Sequence, residues 1–204
     1  MRAGELIDRH GELWQAATGH PFLVAVRDGT LDPDRFSAWL GQDYLFVSGL
    51  LSFQARLLAR APRVAQPALA RGAAALVDEL AWFEAQAVRR DLPLAAVAAP
   101  TTLEYLALLG RLDTSPTPVA LLALWTLERV YLDAWQTALP AAESYREIVE
   151  HWADPAFADY VAELERLVDD ALPEASRPQL ESVFTEVLRL EAAFWDADAT
   201  SPPS

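Results

Sequence analysis

Four acids in this chain stand where a helix should be apolar. Side chains three or four residues apart share one face of a helix. Around Glu191, in "EVLRLEAAFWD", those positions hold Val187, Leu188, Phe194 and Trp195. Around Asp43, in "FSAWLGQDYLFVSGL", the positions three, four and seven away hold Phe36, Trp39, Leu40, Phe46, Val47 and Leu50. Glu128, in "LLALWTLERVYLDAW", has Leu121, Leu124, Trp125, Tyr131, Leu132 and Trp135 at the same spacings. Glu79, in "ALVDELAWFEAQ", has Leu76, Trp82 and Phe83. Other acids show that the count discriminates. Asp133 has Arg129, Val130, Gln136 and Thr137 around it, and Glu186 has Arg189 and Ser182, both reading as solvated faces.

A carboxylate buried without a partner is costly, so it gains partners or changes its protonation. One such acid reads as a satisfied core residue. Four on four helices read as a polar cluster, because sites in helical bundles are built from inward-pointing side chains. Three chemistries fit. Paired carboxylates in an apolar setting can act as general acid and general base on a small polar substrate. The same design can bind a basic heteroaromatic ligand without reacting. A di-metal carboxylate site is the third, but it needs Glu-x-x-His pairs. The three histidines (His10, His20 and His151) form none, and we expect no metal and no cofactor. Tyr105 reads more as a core ring with its hydroxyl bonded than as a catalytic donor, while Tyr44, Tyr131, Tyr145 and Trp152 can either line a pocket or simply pack. There is no Gly-rich phosphate loop, and so few histidines give a Ser-His-Asp triad little material.

The elements that must position these residues read as helices almost throughout. Long 3.6-period blocks are separated by Gly and Pro, and few runs alternate with period two. The pattern predicts helices over 3–18, 20–28, 33–60, 64–91, 102–113, 118–139, 142–152, 155–171 and 177–197. Asp32-Pro33, Asp154-Pro155 and Thr117-Pro118 each place an N-cap residue before a proline at the first helical position. "TTLE" (Thr101 to Glu104) fits a capping box. Gly19 and Gly29 stand where a left-handed cap would end a helix. The expected architecture is a single all-α domain over 1–198, a multi-helix bundle, with a frayed tail over 199–204.

Bulk properties narrow the function. A chain of 204 residues with 52% hydrophobic content can bury a sizeable core. The absence of cysteine excludes disulfides, thiolate metal ligands and cysteine nucleophiles. A net charge of −14 argues against nucleic-acid or anionic-membrane partners. With no apolar leader or spanning run, the expectation is a soluble, unexported, cytoplasmic protein. Seven tryptophans could furnish a core, an aromatic pocket or both.

The same residues carry a family resemblance. "HPF" (His20 to Phe22), "DGTLDPDRFSAWLGQDYLFV", "PTTLEYLALL", "YREIVEHWADPAFADYV" and the closing "LRLEAAFWD" together resemble the TenA family. These are thiaminase II-type aminopyrimidine hydrolases of the haem oxygenase-like all-α fold. The resemblance implies that Asp43 holds an aminopyrimidine, that Glu191 is the acid–base glutamate at the leaving nitrogen, and that Tyr105 lines the pocket. The best-known branch carries a cysteine nucleophile in the helix that here reads "LLALWTLERVYLDAW", where Leu124 and Trp125 stand. Phe46 and Val149 replace a tyrosine and a tryptophan of that branch. The chain is therefore more similar to the cysteine-lacking branch, whose members use glutamate and salvage breakdown products of thiamin. On that footing Glu128 would position water, while Tyr44, Phe46, Glu79, Tyr105, Trp125, Tyr131 and Trp152 would contact a small pyrimidine substrate. The resemblance also implies a homodimer or homotetramer.

Overall fold

The computed structural model describes residues 2–92, 94 and 97–197, so the expected tail over 199–204 lies outside the described residues. Those residues form helices joined by turns, with no strand among them. In chain order the helices are α1 (Ala3–Arg9), α2 (Gly11–Thr18), α3 (Pro21–Asp28), α4 (Pro33–Arg60), α5 (Gln66–Arg90), α6 (Pro100–Leu112), α7 (Thr117–Thr137), α8 (Arg146–Trp152), α9 (Pro155–Ala171) and α10 (Arg177–Phe194). A 3-10 turn, Leu172–Glu174, separates the last two.

The helices gather into two compact units. One comprises α1–α3 with α7–α10, the other α4–α6. In the first unit α7 packs against α2, α3, α8, α9 and α10. Its sequence explains that place. From Pro118 to Glu128 every residue is buried, and a helix that is apolar all round must be covered on every side. In the second unit α4 packs against both α5 and α6.

Local chemistry sets many helix ends. Asp32 Oδ1 accepts the backbone N–H groups of Asp34 (2.8 Å) and Arg35 (3.2 Å) at the start of α4. Asp154 Oδ1 accepts the N–H of Ala156 at 2.7 Å at the start of α9. Each satisfies donors that a first turn leaves open, and Pro33 and Pro155 supply the fixed φ of the first position. Gly29 closes α3 at φ 70°, the left-handed region that glycine enters without strain.

Other ends differ from the sequence expectation. The capping box at Thr101 does not form: α6 begins at Pro100 with Ala99 as its N-cap and no side-chain cap. The hydroxyl of Thr102 is instead drawn to Gln42 Oε1 at 2.7 Å. Likewise Thr117 is the first residue of α7 rather than its cap, which is Pro116. Gly19 ends α2 at φ −110°, outside the left-handed region. The helix expected over 3–18 breaks at His10, whose ψ of 34° ends α1, and α2 starts afresh at Gly11. The helix expected from residue 142 starts at Arg146, and ahead of it the N–H of Ala142 donates to Arg27 O at 3.0 Å. Tyr145 reinforces that turn by donating its hydroxyl to Leu31 O at 3.0 Å. No helix among the described residues is long and apolar enough to cross a membrane.

Candidate functional site

Asp43 is 1% exposed, Glu128 8% and Glu191 3%. Among the described residues these are the only carboxylates buried to this degree. They are three of the four singled out by helical spacing. The controls behave as solvated acids: Asp133 and Glu186 are half-buried, and Asp133 pairs with Arg129 at 2.9 Å. Glu79 differs from the other three. It is half-buried on α5, where Leu76 and Phe83 are buried but Trp82 is not, so it stands at the edge of the covered face.

Asp43, Tyr44, Phe46, Glu79 and Tyr105 belong to the α4–α6 unit. On α4 the ring of Phe46 lies 4.6 Å from that of fully buried Tyr105 on α6. A centroid separation of this size, with the planes tilted at 37°, is a favourable aromatic contact. Tyr44 faces the other way round the helix. Its ring packs edge-on to Phe83 at 6.1 Å and its hydroxyl donates to Glu84 at 3.2 Å. Partial burial, then the bond and charge of Glu84, hold its phenol above the ordinary value. Tyr44 is thus a neutral donor already committed to an acid.

Gln42, next to Asp43, is a residue that helical spacing did not single out. It is fully buried. Its Oε1 accepts from Ala99 N at 2.8 Å and from Thr102 Oγ1 at 2.7 Å, while its Nε2 donates to Val97 O at 3.0 Å. One amide therefore ties α4 to the segment that enters α6, the helix carrying Tyr105. Gln42→Leu strands a buried N–H and a buried hydroxyl, each costing about 1–3 kcal/mol. Together they cost about 2–6 kcal/mol, and we expect Tm to fall by roughly 4–24 °C in thermal unfolding, on a conversion of about 2–4 °C per kcal/mol. A shift below about 1 °C would show that the bridge does not hold α6.

Glu128, Glu191, Trp125, Tyr131 and Trp152 belong to the other unit. Glu128 and Trp125 lie one turn apart on α7, and α7 packs against α10, which carries Glu191. Tyr131 and Trp152 meet edge-on at 5.7 Å. Two further rings, Trp135 and Trp195, complete a cluster there: Trp135 lies 4.5 Å from Trp152 and 5.6 Å from Trp195, and Trp195 stacks on Tyr131 at 6.4 Å. The indole N–H of Trp195 donates to Ala17 O at 2.8 Å, fixing the end of α10 to α2. Both tryptophans occupy the spacings that picked out Glu128 and Glu191, so the signal for them was present, but periodicity does not rank one ring above another. Among the described residues, no group of three or more His, Asp or Glu side chains is arranged to hold a metal ion.

The chain matches the model of the TENA/THI-4/PQQC family over residues 7–201. It is 30% identical over 206 residues to a "probable bifunctional TENA-E protein" of Glycine max, covering 93% of this chain and 90% of that one. It is 25% identical to an aminopyrimidine aminohydrolase of Halalkalibacterium halodurans, covering 95% and 93% respectively. Among solved structures, a TenA homologue from Pyrococcus furiosus superposes with a TM-score of 0.91 at 27% identity, covering 97% of this chain and 99% of that one. A domain of unknown function with a haem oxygenase-like fold, from Shewanella denitrificans, superposes with a TM-score of 0.73 at 16% identity, covering 96% and 91%.

Proposed function

The chain belongs to the TENA/THI-4/PQQC family and has a haem oxygenase-like all-α fold, and from that premise we propose that it is a hydrolase of aminopyrimidine breakdown products of thiamin. The observation that carries this reading is the burial of Asp43, Glu128 and Glu191 in a chain without cysteine. Acids withdrawn from water on helices lined with aromatic rings suit a substrate that is itself a flat heteroaromatic with amine donors.

The reaction is the replacement of an amine by water: an aminomethylpyrimidine and water give a hydroxymethylpyrimidine and ammonia. The bond from the methylene carbon to nitrogen breaks, the nitrogen leaves with the bonding pair and takes up a proton, and the oxygen of water bonds to the carbon. For an N-formyl substrate the bond broken is the amide, and formate leaves. Neither reaction needs a thiol, but both need a proton delivered to nitrogen and one removed from water. Glu191 takes the first role, and Glu128 positions and deprotonates water. Trp125, Tyr131 and Trp152, in the same unit as these two acids, supply ring walls. The packing of α7 against α10 supports a partnership of Glu128 and Glu191.

The test incubates the purified protein with formylaminopyrimidine and with aminopyrimidine and follows formate, ammonia and hydroxymethylpyrimidine. Product formation is expected. Calorimetric binding with no product would replace the hydrolase by a pyrimidine-binding protein, and neither binding nor product would remove the pyrimidine reading.

A further inference from the structure

Trp125 lies on α7 with its side chain wholly buried, and its indole Nε1 is a buried atom with no hydrogen-bond partner among the described residues. A buried indole N–H nearly always finds an acceptor, because an unmet donor in the interior forfeits its hydration for nothing. Trp195, in this same unit, has such an acceptor and donates to Ala17 O at 2.8 Å. Trp125 also sits one helical turn before Glu128, so donor and acid share a face of α7. The two groups are complementary in what they want from a ligand. A carboxylate accepts and an indole N–H only donates. A ligand that meets both must carry a donor and an acceptor side by side, which an aminopyrimidine supplies as amine hydrogens beside a ring nitrogen.

We infer that Trp125 is a specificity residue that donates its indole N–H to a ring nitrogen of the heteroaromatic substrate. This rests on the proposed hydrolase reading, which it deepens by naming the atom that selects a pyrimidine over a carbocyclic amine. The indole N–H binds an acceptor that a benzene ring lacks, and the surrounding burial makes the unpaired state costly.

Trp125→Phe keeps an aromatic ring and deletes the donor. The expected result is a loss of about tenfold in kcat/KM for aminopyrimidine, the equivalent of one neutral hydrogen bond, with a Tm equal to or above that of the wild type. The carbocyclic analogue, with both ring nitrogens replaced by CH, should be bound equally by the two proteins in calorimetry. In 15N-labelled protein, the indole resonance that Trp125→Phe removes should move downfield when aminopyrimidine is added and stay in place with the carbocycle. That readout needs no turnover, so it separates the two ideas: a shifted resonance without product keeps the donor role and removes the hydrolase. Equal kcat/KM in both proteins, an unmoved resonance, or an equal loss with the carbocycle would each overturn the inference.

Discussion

Replacing Glu191 by glutamine is expected to lower kcat for aminopyrimidine hydrolysis by about 10² to 10⁴, the range that a positioned acid–base group contributes. The amide keeps the size of the side chain and its capacity to accept one hydrogen bond, but it cannot exchange a proton with the leaving nitrogen. The residue is 3% exposed on α10, so the substitution neither opens a cavity nor changes the surface. KM should move little, and the circular dichroism spectrum should match that of the wild type. Glu186→Gln, five residues earlier on the same helix and half-buried, serves as the control and should leave kcat unchanged. Full turnover by Glu191→Gln in the ammonia assay would sink the proposed role.

The largest stability effect is expected at Trp135. Its ring is fully buried and meets Trp152 at 4.5 Å, Trp195 at 5.6 Å and Tyr131 at 5.9 Å. Trp135→Ala removes the shared centre of three aromatic contacts and leaves a cavity that its large neighbours cannot fill. Such truncations cost about 3–5 kcal/mol, which converts to a fall in Tm of roughly 6–20 °C for a chain of this size. Trp135→Phe retains most of the contact and should cost less than half as much. Val88→Ala, at a side chain 84% exposed, should stay within about 0.5 kcal/mol. Differential scanning calorimetry on the three variants decides the matter. A fall of less than about 3 °C for Trp135→Ala would show that the ring cluster is not part of the load held by the core.

These two residues illustrate how unevenly the molecule could be read from its sequence. Both occupy the 3.6-period stripes, and both are buried. The stripe around Glu191 was visible because an acid among Val187, Leu188, Phe194 and Trp195 contradicts its surroundings. Trp135 agrees with its surroundings, and a residue that agrees carries no local sign of being central. Gln42 was invisible for a related reason. Its acceptors and donors at Val97, Ala99 and Thr102 lie on a distant segment, so the bonds that define its role are not encoded near it.

By itself the sequence determined the all-α class, most helix boundaries, and the three buried acids, because helix geometry ties each side chain to its neighbours three and four positions away. The proline-linked caps at Asp32 and Asp154 were legible for the same reason, since a cap bonds within its own first turn. Tertiary structure decided the rest. It left Glu79 half-buried, because whether a stripe is covered depends on what packs over it. It broke the first helix at His10 and started α8 only at Arg146, after a turn tied to Arg27 and Leu31. It drew Thr102 to Gln42 and left the indole N–H of Trp125 without an acceptor. Most of these outcomes depend on groups far away in the chain, and only the folded chain brings such a group within reach or leaves it out of range.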